Sequence, residues 1–194
     1  MLNVRDLTVN YGDKTVLEGL SFSVEAGERI HLKGASGTGK TTLLNALAGL
    51  IKHTGEIETD GVAAYMFQEP RLIPWFSVYE NLRFVLPKGA DDAVIKKYLT
   101  AVELWEERNT MPKELSGGMS RRVALARALA YAEATDAAML LLDEPLTGVD
   151  EERKLRLYPV ILQAAEGKIL LLSTHDEREA AALTARELTI PQNS

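Results

Sequence analysis

At 194 residues the chain suits a single domain, long enough for a real hydrophobic core and with room for an inserted subdomain. With 46% hydrophobic and 26% charged residues it has the composition of an ordinary soluble globular protein, and no apolar run reaches the ~18–20 residues of a membrane span. The lack of cysteine excludes disulfides, thiolate zinc sites and cysteine nucleophiles, while a net charge of −6 argues against a broad nucleic-acid surface without excluding a small basic patch.

Residues 1–6 lack the charged-then-apolar plan of a signal peptide, so the cytosol is the expected compartment. Residues 2–9 alternate apolar and polar, the pattern of a half-buried strand. Tyr11-Gly12-Asp13-Lys14 reads as a hairpin turn, and residues 15–17 and 20–24 continue the β pattern. Residues 25–28 then turn into a further strand over 29–33.

The most informative stretch of the chain comes next: Gly34-Ala35-Ser36-Gly37-Thr38-Gly39-Lys40-Thr41-Thr42. It fits the P-loop pattern G-x-x-x-x-G-K-[ST]. Glycines let backbone N–H groups curl around a polyphosphate, and the next helix points its positive N-terminus at the same anion. Lys40 supplies an ammonium for the terminal phosphates, and the Thr41 hydroxyl suits a Mg²⁺ position. Residues 42–48 predict that helix, with Leu44, Leu47 and Ala48 on one face.

Residues 56–59 and 62–67 predict two more strands. From Gln68 to about Ala134 the character is helical, broken at Pro70, Pro74, Pro87 and Pro112. Ser77 and Glu80 form a capping box, Asp91 or Asp92 caps a helix over 93–102, and Ser116 caps one reaching about Tyr131. The core then resumes. Residues 138–142 are a continuous apolar run ending in Asp143-Glu144-Pro145, as a buried parallel strand reads. A helix over 151–165 precedes a second buried strand over 168–173, with Thr174-His175-Asp176 at its C-terminal end, where open α/β sheets bind ligands. A helix from about Glu177 and a strand near 187–190 close the pattern.

Two constellations carry further chemistry. A carboxylate after an apolar strand, Asp143, can hold Mg²⁺ beside a P-loop, and the adjacent Glu144 can polarise an attacking water. Leu115-Ser116-Gly117-Gly118-Met119 opens a long helix with another cluster of backbone N–H groups suited to an anion. A second phosphate-type site on a chain with one P-loop makes sense if it closes over the nucleotide of another copy.

With these motifs in this order, the chain resembles a nucleotide-binding domain of the ATP-binding cassette family along nearly its whole length. The resemblance implies a role for each motif. Tyr11 matches the aromatic that stacks on adenine, and residues 34–42 match the Walker A loop. Gln68 matches the glutamine that touches Mg²⁺ and the attacking water, and residues 115–119 the signature. Asp143 and Glu144 match the end of Walker B with its catalytic glutamate, Asp150 the D-loop aspartate, and His175 the switch histidine. The cofactors implied are ATP and Mg²⁺, with Thr41, Gln68 and Asp143 at the metal and Glu144, His175, Gln68 and Lys40 at the chemistry. Ser116, Gly117 and Gly118 of a second copy, or of a homologous subunit, complete each site in a head-to-tail dimer.

The implied fold is α/β: a P-loop NTPase (RecA-like) core with a mostly parallel sheet, an N-terminal antiparallel β subdomain and an inserted helical subdomain. The core covers about 1–67 and 135–194 and the helical part about 68–134, with no C-terminal regulatory domain expected. Three positions depart from the family pattern. Met119 stands where glutamine is usual, Gly148-Val149 alters the D-loop, and His31 and Lys33 put polar side chains on a strand that is often apolar. The last departure predicts one less buried face for that strand, and His31 has no motif role.

Residues 66–75 and the Gly-Gly-Met of the signature are similar to importers of the nitrate, sulfonate and taurine type. Leu72 and Trp75 are then contact candidates for a separate membrane permease; the other reading of 70–75 is a proline-rich connector with a buried tryptophan. The function expected is ATP hydrolysis coupled to transport, cytoplasmic and peripheral on the inner face of the membrane, with no direct nucleic-acid partner. A non-transport cassette ATPase of repair, translation or cofactor assembly is the alternative. A small-molecule kinase leaves residues 115–119 and His175 unexplained.

Overall fold

A computed structural model describes residues 1–191; residues 192–194, which the expected core range includes, lie outside them. Two sheets form. The antiparallel one has strand order β2-β1-β4, from β1 (Leu2–Tyr11), β2 (Lys14–Val24) and β4 (Thr54–Thr59). The other joins β3 (Arg29–Lys33), β5 (Ala63–Met66), β6 (Met139–Asp143), β7 (Ile169–Ser173) and β8 (Arg186–Thr189) in the order β5-β6-β7-β3-β8, every neighbouring pair parallel.

The two apolar runs become β6 and β7 because both faces of the parallel sheet are covered. Leu140, Leu142, Leu170 and Leu172 belong to the core beneath the helices, whereas Met139, Leu141, Ile169 and Leu171 pack toward α1 (Lys40–Leu47) and the antiparallel sheet. All these residues are buried, so truncating one leucine costs about 2–5 kcal/mol. The strand ends that carry the site are thus rigidly held.

The helical layer contains α2 (Val78–Arg83), α3 (Ala93–Ala101), α4 (Gly117–Ala134) and α5 (Glu151–Ala164), with a short 3-10 turn at Pro112–Glu114. The Ser77–Glu80 capping box forms in both directions. It is the Asp91 carboxylate that accepts from Ala93 N, at 2.8 Å, while Asp92 sits at the N-cap without a side-chain bond. Ser116 caps α4, which is buried nearly all round and therefore runs to Ala134, past the expected end. The last helix, α6 (Glu177–Leu183), is capped by Asp176.

Four local expectations are corrected. Residues 15–17 and 20–24 are one strand, bent through an irregularity at Gly19. The P-loop helix begins at Lys40, because Gly39 takes the N-cap. Strand β3 loses no buried face: His31 is 4% exposed and lies between β7 and β8, and of the two departures only Lys33 is exposed. Trp75 is 72% exposed, so the connector around it does not bury its tryptophan.

Candidate active site

Four adjacent strands of the parallel sheet end at one cleft. After β5 comes Gln68, after β6 come Asp143 and Glu144, after β7 comes His175, and after β3 comes the P-loop. The cleft, about 200 Å³, is lined by Val16, Ser36, Gly37, Gly39, Lys40, Thr41, Thr42, Gln68, Asp143, Glu144, Ser173 and His175. This is the crevice outside the carboxyl ends of the strands, where ligands of open α/β folds bind.

The loop geometry reflects its glycines and its lysine. Gly39 has φ +100°, and a Cβ there would come within 2.8 Å of Leu17 Cδ2 and 3.1 Å of Val16 Cγ1, so only glycine fits between loop and hairpin. Lys40 is buried and its Nζ donates to Gly34 O (2.7 Å) and Ala35 O (3.0 Å), which holds the ammonium against the inner wall of the loop. Thr38 Oγ1 donates to Ala35 O and closes the turn.

Thr41 Oγ1 donates to Asp143 Oδ2 at 2.6 Å, which brings a hydroxyl and a carboxylate together, and Gln68 lines the same cleft. These oxygen donors suit Mg²⁺, a hard ion that keeps several waters and phosphate oxygens in its shell. Among the described residues no group of three or more His, Cys, Asp or Glu side chains forms a metal cage. The fit is to a metal held jointly with a phosphate ligand.

Glu144 has a positive φ of 52°, a conformation that strains a non-glycine residue and points to a functional constraint. Its backbone N–H donates to Ser173 O, and its Oε2 accepts from Thr147 Oγ1 at 2.9 Å. Its Oε1 is buried without a hydrogen-bond partner, 3.5 Å from His175 Nε2. An unsatisfied carboxylate oxygen at a phosphate cleft is set up to accept a proton from a water or hydroxyl.

An ABC transporter family model matches residues 17–147. The chain is 40% identical over 194 residues to the aliphatic sulfonates import ATP-binding protein SsuB 1 of Pseudomonas savastanoi pv. phaseolicola, covering 98% of this chain and 80% of the relative. The chain belongs to the ABC transporter family. It is also 39% identical to the aliphatic sulfonates import ATP-binding protein SsuB of Corynebacterium glutamicum, over 96% of this chain and 79% of that one. A solved dimeric ATP-binding cassette bound to ADP and phosphate superposes with a TM-score of 0.87 at 26% identity, covering 99% of this chain and 95% of that one. This ABC chain is thus of the ATP-binding, ATP-hydrolysing type, with the P-loop NTPase fold that the sequence implies.

Not every motif of the ABC chain reaches its own cleft. Tyr11 is 51% exposed at the β1–β2 hairpin, and Val16 of that hairpin, not Tyr11, lines the cleft. Ser116 and Gly117 are exposed at the start of α4, and Ser116 Oγ accepts from Met119 N. Gly118 lies beside Gly148: a Cβ on it would sit 3.3 Å from Gly148 O, so signature and D-loop adjoin each other outside the cleft. Asp150 caps α5 through Arg153 N and pairs with Arg153 Nη1, which holds its carboxyl below its ordinary range.

Sequence reasoning missed the residues that fasten these loops. Arg121 Nη1 donates to Glu144 O at 2.6 Å, and Arg127 donates to Arg71 O and Pro70 O, just after Gln68. Both arginines belong to α4, so the helix that begins at Ser116 also braces the glutamate and the glutamine loop. A readable signal existed: arginines in an otherwise apolar, buried helix demand partners. Asn81, fully buried, accepts from Ile73 N and donates to carbonyls of Ile73, Phe76 and Ser77, and no pattern in the sequence marks it.

Proposed function

We propose that this chain binds ATP with Mg²⁺ and hydrolyses it as the ATP-driven subunit of a membrane importer. The observation that carries this reading is the convergence of P-loop, Asp143–Glu144 pair, Gln68 and His175 on one cleft from four neighbouring strands. In this reading Lys40 and the loop amides of residues 34–42 orient the β- and γ-phosphates, and positioning with electrostatics does most of the work. Thr41, Asp143 and Gln68 hold the metal, which supplies charge neutralisation on the phosphates when bound. Glu144 accepts the proton of the attacking water through Oε1. His175, 61% exposed and 3.5 Å from that oxygen, supports the γ-phosphate. Tyr11 offers its ring to the adenine at the mouth of the site.

The partner reading rests on what the cleft does not contain. Ser116, Gly117 and Asp150 are exposed and Gly118 is half-buried, and none of them lines the cleft, as expected if they close a second copy's nucleotide in a head-to-tail dimer. Among the described residues no helix is long and apolar enough to cross a membrane, and in this reading the transmembrane path is formed by permease subunits. The surface offered to them is an apolar groove of about 370 Å³ lined by Phe67, Arg71, Ile73, Phe84 and Val85, with Trp75 exposed on the neighbouring loop. Such a subunit works at the cytoplasmic face. The relatives' shared description makes aliphatic sulfonates the first cargo class to test.

A Glu144→Gln variant tests the chemistry. It is expected to bind ATP within about threefold of the wild-type affinity while kcat falls by about 100-fold or more, since it loses a group used in the transition state. Its ATP-bound dimer should outlast that of the wild type in size-exclusion chromatography. Full turnover would overturn the assignment of Glu144.

A further inference from the structure

His31, for which the sequence offers no role, occupies a telling position. It lies on β3, three residues before the P-loop, in register with Leu172 on β7 and Glu187 on β8. Its ring is buried, and its Nε2 is 3.1 Å from the carbonyl oxygen of Thr174, the residue immediately before His175. A carbonyl only accepts, so Nε2 carries the hydrogen and donates. Nδ1 is buried with no hydrogen-bond partner, and the Glu187 carboxylate is 3.9 Å away, beyond hydrogen-bond reach, with Lys33 holding that carboxylate from the solvent side. A leucine would fill this place without leaving an unpaired buried nitrogen. The histidine therefore needs a reason other than packing.

The residues around His175 supply one. Thr174 Oγ1 accepts from Asp176 N (3.1 Å), and Asp176 caps α6 and pairs with Lys154 of α5. Asp176 is thus tied to two helices, and Thr174 O is tied through His31 to the strand that feeds the P-loop. His175 stands between the two anchors as the one side chain of the three that is free.

We infer that His31 is a positioning residue that locks the backbone before His175 to the P-loop strand, so that His175 and Lys40 approach the γ-phosphate in one fixed relation. This rests on the ATPase reading given above. It predicts an effect on turnover and not on nucleotide affinity, since the P-loop itself keeps its shape and its bonds.

The test measures steady-state ATP hydrolysis, nucleotide Kd and thermal midpoint on the full chain for wild type, Glu144→Gln and three variants at His31. His31→Leu removes the donor but keeps the volume: kcat is expected to fall about 10-fold, with Kd within about twofold and the midpoint unchanged or higher. His31→Gln places an amide nitrogen near the Nε2 position and is expected to recover most of kcat. His31→Asn places one only as far out as Nδ1 and is expected to behave like His31→Leu. Wild-type kcat in His31→Leu, or equal activity of the Gln and Asn variants, would overturn the proposal, and the Gln–Asn comparison decides it even if His31→Leu fails to fold. A wild-type chain without ATPase activity would overturn the ATPase reading and this one with it; an active wild type with an inert Glu144→Gln leaves His31 judged by its own variants.

Discussion

Glu144 and Glu179 are two carboxylates held in unusual settings, and each has a measurable consequence. Glu144 combines a positive φ, an unpaired buried oxygen and a backbone bonded on both sides, a costly arrangement that function explains and stability does not. Glu179, on α6 behind the His175 loop, is 1% exposed, and burial pushes its pKa up to about 7. Lys154 opposes that shift, while the Asp176 and Glu144 charges add to it. The folded chain therefore keeps this proton up to about pH 7, whereas the unfolded chain releases it near the ordinary value of 4.5. Within that window the native state binds more protons, so this group's contribution to stability falls as pH rises. Glu179→Gln should remove that slope. Its unfolding free energy relative to wild type is expected to rise by on the order of 3 kcal/mol between pH 4.5 and 7.5, measured by urea denaturation, and a flat difference would contradict the account.

Among the elements, the features legible in the sequence were those decided locally. The Ser77–Glu80 box, the Ser116 cap and the doubly covered strands β6 and β7 each announce themselves within a few residues. The P-loop and the Asp143–Glu144 pair were legible for the same reason. The hidden features depend on contacts far along the chain. His31 is buried because Thr174 and β8 come to it, and Trp75 is exposed because Asn81 fixes the loop beneath it with its own amide. Tyr11 reads as a site residue from motif order alone, and the structure adds that Val16 of the same hairpin lines the cleft while the Tyr11 ring stays exposed. The Asn81 amide makes an element-scale prediction. Asn81→Ala leaves Ile73 N and several carbonyls without their partner in a buried setting, which should cost about 2–3 kcal/mol in denaturant unfolding. Amide exchange should rise at Ile73 while the P-loop amides stay protected.

For the whole molecule, the parallel sheet organises the cleft, and in the proposed dimer the face around Ser116 completes the cleft of another copy. Helix α4 joins the two, since it begins at Ser116 and grips both Glu144 and the loop after Gln68. A partner's nucleotide bound at Ser116 would therefore press on the same helix that braces this chain's own glutamate, which is a physical route for coupling two sites. The central claim is that each cleft is completed by another copy, and mixing two inactive variants tests it most directly. Lys40→Ala disables the cleft and Ser116→Arg the opposite face; each alone should hydrolyse ATP at a few per cent of the wild-type rate or less, on the order of the loss of a phosphate-binding group. Mixed in equal amounts, about half of the dimers carry one intact composite site, so the mixture should recover up to about a quarter of the wild-type rate. A mixture no more active than its components, at concentrations where the wild type dimerises, would contradict the account.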